Sequence, residues 1–138
     1  MSNPDAESPL ALPYATHLNV LFPPLAKIEL DPLIAAVQDD WYNQTLVRVN
    51  ESVVRLGVMQ GEYHWHEHAA DDELFFVLEG RFLIDLEPRA DGVTPGRVVT
   101  LLPREAFVVP KGVRHRTRAP ERSVILMVET AGIIPTGS

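Results

Sequence analysis

The stretch HWHEHAADDELFFVLEG, from His64 to Gly80, decides the fold. Three of the chain's five histidines, His64, His66 and His68, alternate within it, and Glu73 follows. On a β-strand successive side chains point to opposite faces, so the three imidazoles would share one face at intervals of about 6.6 Å. Two neutral imidazoles so spaced can converge on one cation, with bonds near about 2.0–2.1 Å for zinc and similar lengths for other divalent metals. After a turn, Glu73 can add a carboxylate. The pattern predicts a metal held inside a β fold.

A second element answers the first some forty residues on. VVPKGVRHRT, residues 108–117, sets Pro110, Gly112 and His115 where a strand, a tight turn and another strand would run. Together the two elements resemble the paired motifs of the cupin superfamily. His66, His68, Glu73 and Gly80 fit the first motif, G-x5-H-x-H-x(3–4)-E-x6-G, except that Gln60 holds the leading glycine position and Gly61 follows it. Pro110, Gly112 and His115 fit the second, G-x5-P-x-G-x2-H-x3-N, with Arg104 at the leading glycine and Ala119 at the final asparagine. The match spans residues 50–130. The closing stretch, VETAGIIPTGS, is also similar to the end of small bacterial single-domain cupins.

The resemblance implies an all-β fold, a double-stranded β-helix or jelly-roll barrel. Carried over position by position, it makes His66, His68, Glu73 and His115 the ligands of one divalent ion: Fe, Mn, Ni, Co or Zn. It does not choose a reaction. Cupins include isomerases, epimerases, dioxygenases, decarboxylases, lyases and non-enzymatic binders, and fold does not imply function. Three imidazoles and one carboxylate leave the ion one positive charge, which favours an anionic, chelating small molecule such as a hydroxy acid, keto acid or enediol.

Other polar residues have plainer readings. A regular strand turns His64 toward the same cavity, as a pocket-lining group and candidate acid/base rather than a ligand. His17 reads as solvated, and Asp71 and Asp72 as a polar turn. Strand parity with His66 suggests that Phe75 or Phe76, Phe107, Thr117 and Met127 face inward, the apolar ones chiefly as core. Arg48 and Arg55 could anchor a carboxylate, but strand arginines usually lie on the solvated face.

Length and composition bound the rest. A chain of 138 residues with 46% hydrophobic content suits one compact domain. No apolar run reaches the 18 or more residues of a membrane span, and the amino terminus lacks the basic start and apolar core of a secretory signal. Zero cysteines removes disulfides and thiolate ligands and fits a cytoplasmic protein. A net charge of −7 argues against nucleic acid or an anionic membrane as partner.

Residues 1–30 read as an amino-terminal arm and 31–138 as the barrel domain. A short helix is expected from Pro32 to Gln38, with Asp31 as N-cap. Strands are expected over 44–50, 52–59, 63–67, 73–78, 81–87, 97–101, 106–109, 113–118 and 123–130, with the loop Pro88–Gly96 closing a hairpin. The arm and the family resemblance together suggest a homodimer.

Three functions compete. The first is a metal-dependent enzyme that isomerises, epimerises, decarboxylates or eliminates on a small carboxylate, keto or sugar-like molecule. The second is an Fe(II) dioxygenase. The third is a small-molecule-binding barrel without chemistry.

Overall fold

A computed structural model describes residues 14–132. Its strands are β1 (Ala15–His17), β2 (Trp41–Val49), β3 (Ser52–Glu62), β4 (Glu73–Glu79), β5 (Phe82–Leu86), β6 (Arg97–Leu101), β7 (Ala106–Val109) and β8 (His115–Thr130). Helix α1 (Asp31–Ala36) precedes β2.

β8 is the spine of the sheet. Its first half pairs with β5 and its second half with β4, and β3 runs antiparallel along the second half as far as Arg118. Outward from β3 come β2 and then β1, which adds to β2 in parallel. β7 hangs on β4, and β6 on β5. The roll is an all-β jelly roll whose sheet does not close on itself. That is the all-β jelly-roll class expected from the sequence, with β1, β6 and β7 each pairing on one side only among the described strands.

Two apolar clusters explain the strand sequences. Inside the roll, Trp41, Met59, Phe75, Val77, Phe82, Ile84, Ile125 and Met127 come from alternate positions of β2, β3, β4, β5 and β8. On the outer face, Leu46, Leu56, Val58 and Val124 are covered by Leu33 and Ile34 of α1 and by Phe22. β3 is consequently buried on both faces along Leu56–Met59, and reads as a continuous apolar run rather than an alternation. Phe82, Leu56, Ile84 and Ile125 are wholly enclosed, each contributing about 1.5–3 kcal/mol of transfer free energy.

Several sequence expectations need correction. Residues 63–67 form no strand; only His66 bridges to His115. The strands expected over 113–118 and 123–130 are one, because residues 120–122 are absorbed as a bulge opposite Gln60. Asp31 is not the N-cap. That place falls to Leu30, and Asp31 lies in the first turn, where its charge still favours the helix. Within the described part of the arm Ala15–His17 joins the sheet, and beyond it Phe22 N–H donates to Leu46 O at 2.9 Å. The hairpin over Pro88–Gly96 is present, joining β5 to β6.

One glycine of the motif has a structural reason. Gly80 has φ 87°, and a Cβ there would stand 2.7 Å from Ser123 Cα. Only glycine allows β4 to turn so tightly against β8.

Candidate metal centre

The four candidate ligands sit at one end of the roll. Glu73 begins β4 and His115 begins β8, while His66 and His68 lie on the segment leading into β4. Backbone hydrogen bonds lace that segment to the turn before β8. His66 and His115 exchange N–H···O bonds of 2.9 Å in both directions, and Gly112 N–H donates to His68 O at 2.8 Å. Asp72 accepts from Lys111 N–H at 2.9 Å, so its side chain ties this segment to the turn before β8. The two motifs therefore meet through main chain before any side chain is considered.

His66, His68, Glu73 and His115 are all buried, and each offers a ligand atom within 4.8 Å of the others. Glu73 Oε1 is 3.3 Å from His68 Nε2 and 3.9 Å from His115 Nε2. Donors about 2.1 Å from a shared ion stand about 3.0 Å apart at right angles and about 4.2 Å apart when opposed. The observed separations fall in that span.

Local hydrogen bonds set the tautomers. His66 Nδ1 lies 3.0 Å from His64 O, and His115 Nδ1 lies 2.9 Å from Val113 O. A carbonyl can only accept, so each Nδ1 carries the proton and each Nε2 keeps its lone pair. Burial first, then repulsion from neighbouring histidines, pushes His66 down to about 3 and His115 down to about 4. Both are neutral at pH 7, the form that binds a metal. His115 Nε2, both ring nitrogens of His68 and Glu73 Oε1 have no hydrogen-bond partner among the described residues. His68 Nε2, Glu73 Oε1 and His115 Nε2 are thus three buried, unsatisfied donor atoms close to one another, which fits a metal ion.

Beside His66 and Glu73 lies a cavity of about 20 Å³, room for about one water. Phe75, Thr117 and Met127 line it, as parity suggested; Phe76 and Phe107 do not. Trp41, Asn43 and Tyr63 also line it and were missed, because β2 starts three residues earlier than expected and carries Trp41 and Asn43 inward by alternation. The Tyr63 hydroxyl and Asn43 Oδ1 are buried without a hydrogen-bond partner among the described residues. Burial also pushes the Tyr63 phenol well above its ordinary value, so it stays protonated.

His64 is placed differently from the other two histidines of its run. Its side chain is exposed and outside the cavity lining, with the ring stacked on Tyr63 at 4.5 Å and 5.3 Å from the His66 ring. The chain leaves strand geometry after Glu62, so the parity argument that put His64 with His66 and His68 does not hold there. Tyr14 of the arm completes an aromatic stack over Tyr63 at 4.2 Å. His17 is exposed, as read.

Arg48 is exposed, as expected, but Arg55 is not. Arg55 points into the roll at 2% exposure, with Nε 2.8 Å from Oε2 of Glu129, itself 3% exposed. Glu129 in turn stands beside Glu73 where β4 pairs with β8. Burial and the nearby Glu73 push Glu129 up to about 9, against the pull of Arg55.

Comparison with known proteins agrees with this geometry. The family model for the cupin domain matches residues 52–129. The Bacillus subtilis protein YdbB, described as uncharacterised, is 42% identical over 93 residues, covering 67% of this chain and 76% of its own. A crystal structure of a cupin-2 domain containing protein from Shewanella frigidimarina is 31% identical at a TM-score of 0.64, covering 75% of this chain and 93% of the other. Protein NMB1881 from Neisseria meningitidis is 28% identical at a TM-score of 0.62, covering 76% and 99%. With its two motifs laced together at one end of a jelly roll, this chain belongs to the cupin domain family.

Proposed function

We propose that the chain holds one divalent metal ion through His66, His68, Glu73 and His115 and acts as an enzyme on a small polar molecule bearing carboxylate, keto or sugar-like groups. The reaction is an isomerisation, decarboxylation or elimination. The observation that carries this reading is the set of buried donor atoms around one point that have no other partner.

A divalent ion so held supplies Lewis acidity toward an oxygen of the bound molecule. The chain supplies the rest. The buried Tyr63 hydroxyl can donate a hydrogen bond to a ligand oxygen, and the Asn43 carboxamide can accept one from a ligand hydroxyl. Trp41 and Phe75 keep the cavity wall apolar and exclude water. His64, exposed beside Tyr63, is the residue we assign to proton exchange with solvent at the rim.

Metal analysis of protein purified without chelator or histidine tag tests the reading. About one equivalent of zinc, nickel, cobalt or manganese, lost in His115→Ala, is expected. Iron together with oxygen uptake would move the assignment to dioxygenase chemistry. Protein that holds no metal, and binds none on titration, overturns both.

We further propose a homodimer paired through the arm. Leu18, Val20, Leu25 and Ile28 there are 55%, 46%, 107% and 42% exposed, an apolar strip that pairing would cover. A mass near 15.4 kDa by light scattering would rule it out. A cytoplasmic location is proposed on the cysteine-free composition. Among the described residues no helix is long and apolar enough to cross a membrane.

A further inference from the structure

The metal reading leaves two charged side chains of the interior without a task. Arg55 on β3 and Glu129 on β8 are as deeply buried as the ligands themselves. Packing does not account for them. Taking two charges out of water costs several kcal/mol per ion, and apolar residues of similar volume usually fill such a place at no loss of stability.

Strand register shows what they touch. Leu74 pairs with Val128, which sets Glu73 and Glu129 side by side where β4 meets β8. Val53 pairs with Glu129 on the other side, and Arg55 lies two residues along on the same inward file of β3. Three strands thus contribute one chain of neighbours: the Arg55 guanidinium 2.8 Å from the Glu129 carboxyl, and that carboxyl beside Glu73 across the β4–β8 pairing. Beyond Glu73 come His68 and His115, at 3.3 and 3.9 Å from Oε1.

We propose that Glu129, anchored by Arg55, is the positioning residue of the metal carboxylate. A glutamate with free χ angles could turn Oε1 away from His68 and His115. Gripping the carboxyl from behind removes that freedom before a metal arrives. Arg55 keeps Glu129 from acting as a second, competing carboxylate, since its guanidinium, with Nε 2.8 Å from Oε2, holds that group on the β3 side. Outer partners of this kind commonly account for about 10–100-fold in metal affinity. This inference rests on the proposed metal site.

Co(II) titration of the full chain, followed by its visible absorption bands and by competition with a chelator, tests it. Glu129→Gln preserves shape and keeps a polar side chain between Arg55 and Glu73; its affinity should stay within about threefold of the unsubstituted chain, with unchanged bands. Arg55→Met combined with Glu129→Leu removes both charges together and should fold, as circular dichroism would verify. That double variant should lose about 10–100-fold in Co(II) affinity and show shifted bands, because Glu73 is no longer held. If it binds Co(II) with the original affinity and spectrum, the pair is only filler and the inference falls. If the unsubstituted chain takes up no Co(II), the metal reading falls and takes this inference with it. Should the double variant fail to fold, the pair's role is structural, and the inference is likewise overturned.

Discussion

Two clusters of arginine and carboxylate stand on opposite faces of β8, and their stoichiometries are reversed. Outside, one carboxylate meets two arginines: Asp85 accepts from Arg116 Nε at 2.9 Å and from Arg118 Nε and Nη2 at 2.7 and 2.8 Å. Inside, one arginine serves two carboxylates: Arg55 pairs with Glu129, and Glu73 stands beside Glu129. The outer arginines are 29% and 30% exposed, so water and Glu62 absorb the surplus positive charge. No water shields the inner group to that extent. With both carboxylates ionised it lacks a positive charge, and burial resists that by raising Glu73 and Glu129 alike. A proton can make up the deficit, and so can a divalent cation. The outer cluster is complete as it stands; the inner one is built to receive something.

The largest effect should come from breaking the inner cluster on one side only. Glu129→Ala leaves the Arg55 charge buried without its carboxylate, and such losses destabilise by about 3–5 kcal/mol. Chemical denaturation of the metal-free protein measures it. A cost below about 1 kcal/mol would mean that water reaches Arg55 and that the interior is less dry than the outer cluster.

The two clusters should also respond to pH with opposite sign. Glu129 is raised to about 9, so the folded state retains a proton that the unfolded carboxyl, near about 4.3, has lost. Its contribution is therefore full in acid and is lost as pH rises toward 9, at about 1.4 kcal/mol per unit, or about 2 kcal/mol from pH 7 to 9. Glu73, also raised, acts in the same sense. His66 and His115, held down by burial, contribute only below about 6.5, and Tyr63 enters only above about 10. Melting of metal-free protein at pH 7 and 9 should show this loss. A divalent ion should remove it, since the cation replaces the proton. Asp85 runs the other way. Hydrogen bonds from Arg118 and Arg116 outweigh its burial and hold it low, so its contribution disappears only as pH falls below about 3.9. An unchanged melting temperature between pH 7 and 9 would show Glu129 already ionised against Arg55.

Removing the outer carboxylate should matter less. Asp85→Asn is expected to cost about 1 kcal/mol, because both arginines can turn to water, and salt should shrink the difference. A penalty as large as that of Glu129→Ala, insensitive to salt, would erase the contrast between the clusters.

How much of this was legible in the sequence follows from what each residue depends on. His66, His68, Glu73 and His115 were readable because their spacing within two short motifs is itself the signal. Gly80 was readable because its φ and its contact with Ser123 admit only one residue type. Arg55 and Glu129 were not. Their meaning lies in register across β3 and β8, residues 74 positions apart, and the general rule that strand arginines face water pointed the wrong way for Arg55. The alternation Val53, Arg55, Gly57, Met59 was the available hint, since three inward neighbours place the fourth. Alternation along β5 sets Asp85 on the face opposite Phe82 and Ile84, but nothing local shows that Arg116 and Arg118 cover it.

The smallest effect tests where the interior ends. Parity along an unbroken strand would bind His64 into the same group as His66 and His68, yet the backbone departs from strand geometry after Glu62 and turns the His64 side chain outward. What His64 supplies to the centre is its carbonyl, which accepts from His66 Nδ1 and would be kept by any residue at that position. His64→Ala should therefore leave metal affinity within about threefold, well short of the 10–100-fold expected of a residue that orients a ligand through its side chain. Stability should fall by no more than about 0.5–1.5 kcal/mol, the scale of a lost ring stack on Tyr63. The same titration with His66→Ala sets the other limit. If the two variants lose metal equally, the imidazole of residue 64 belongs to the inner cluster, and the boundary between the wet rim and the dry centre lies one residue farther out than the contacts indicate.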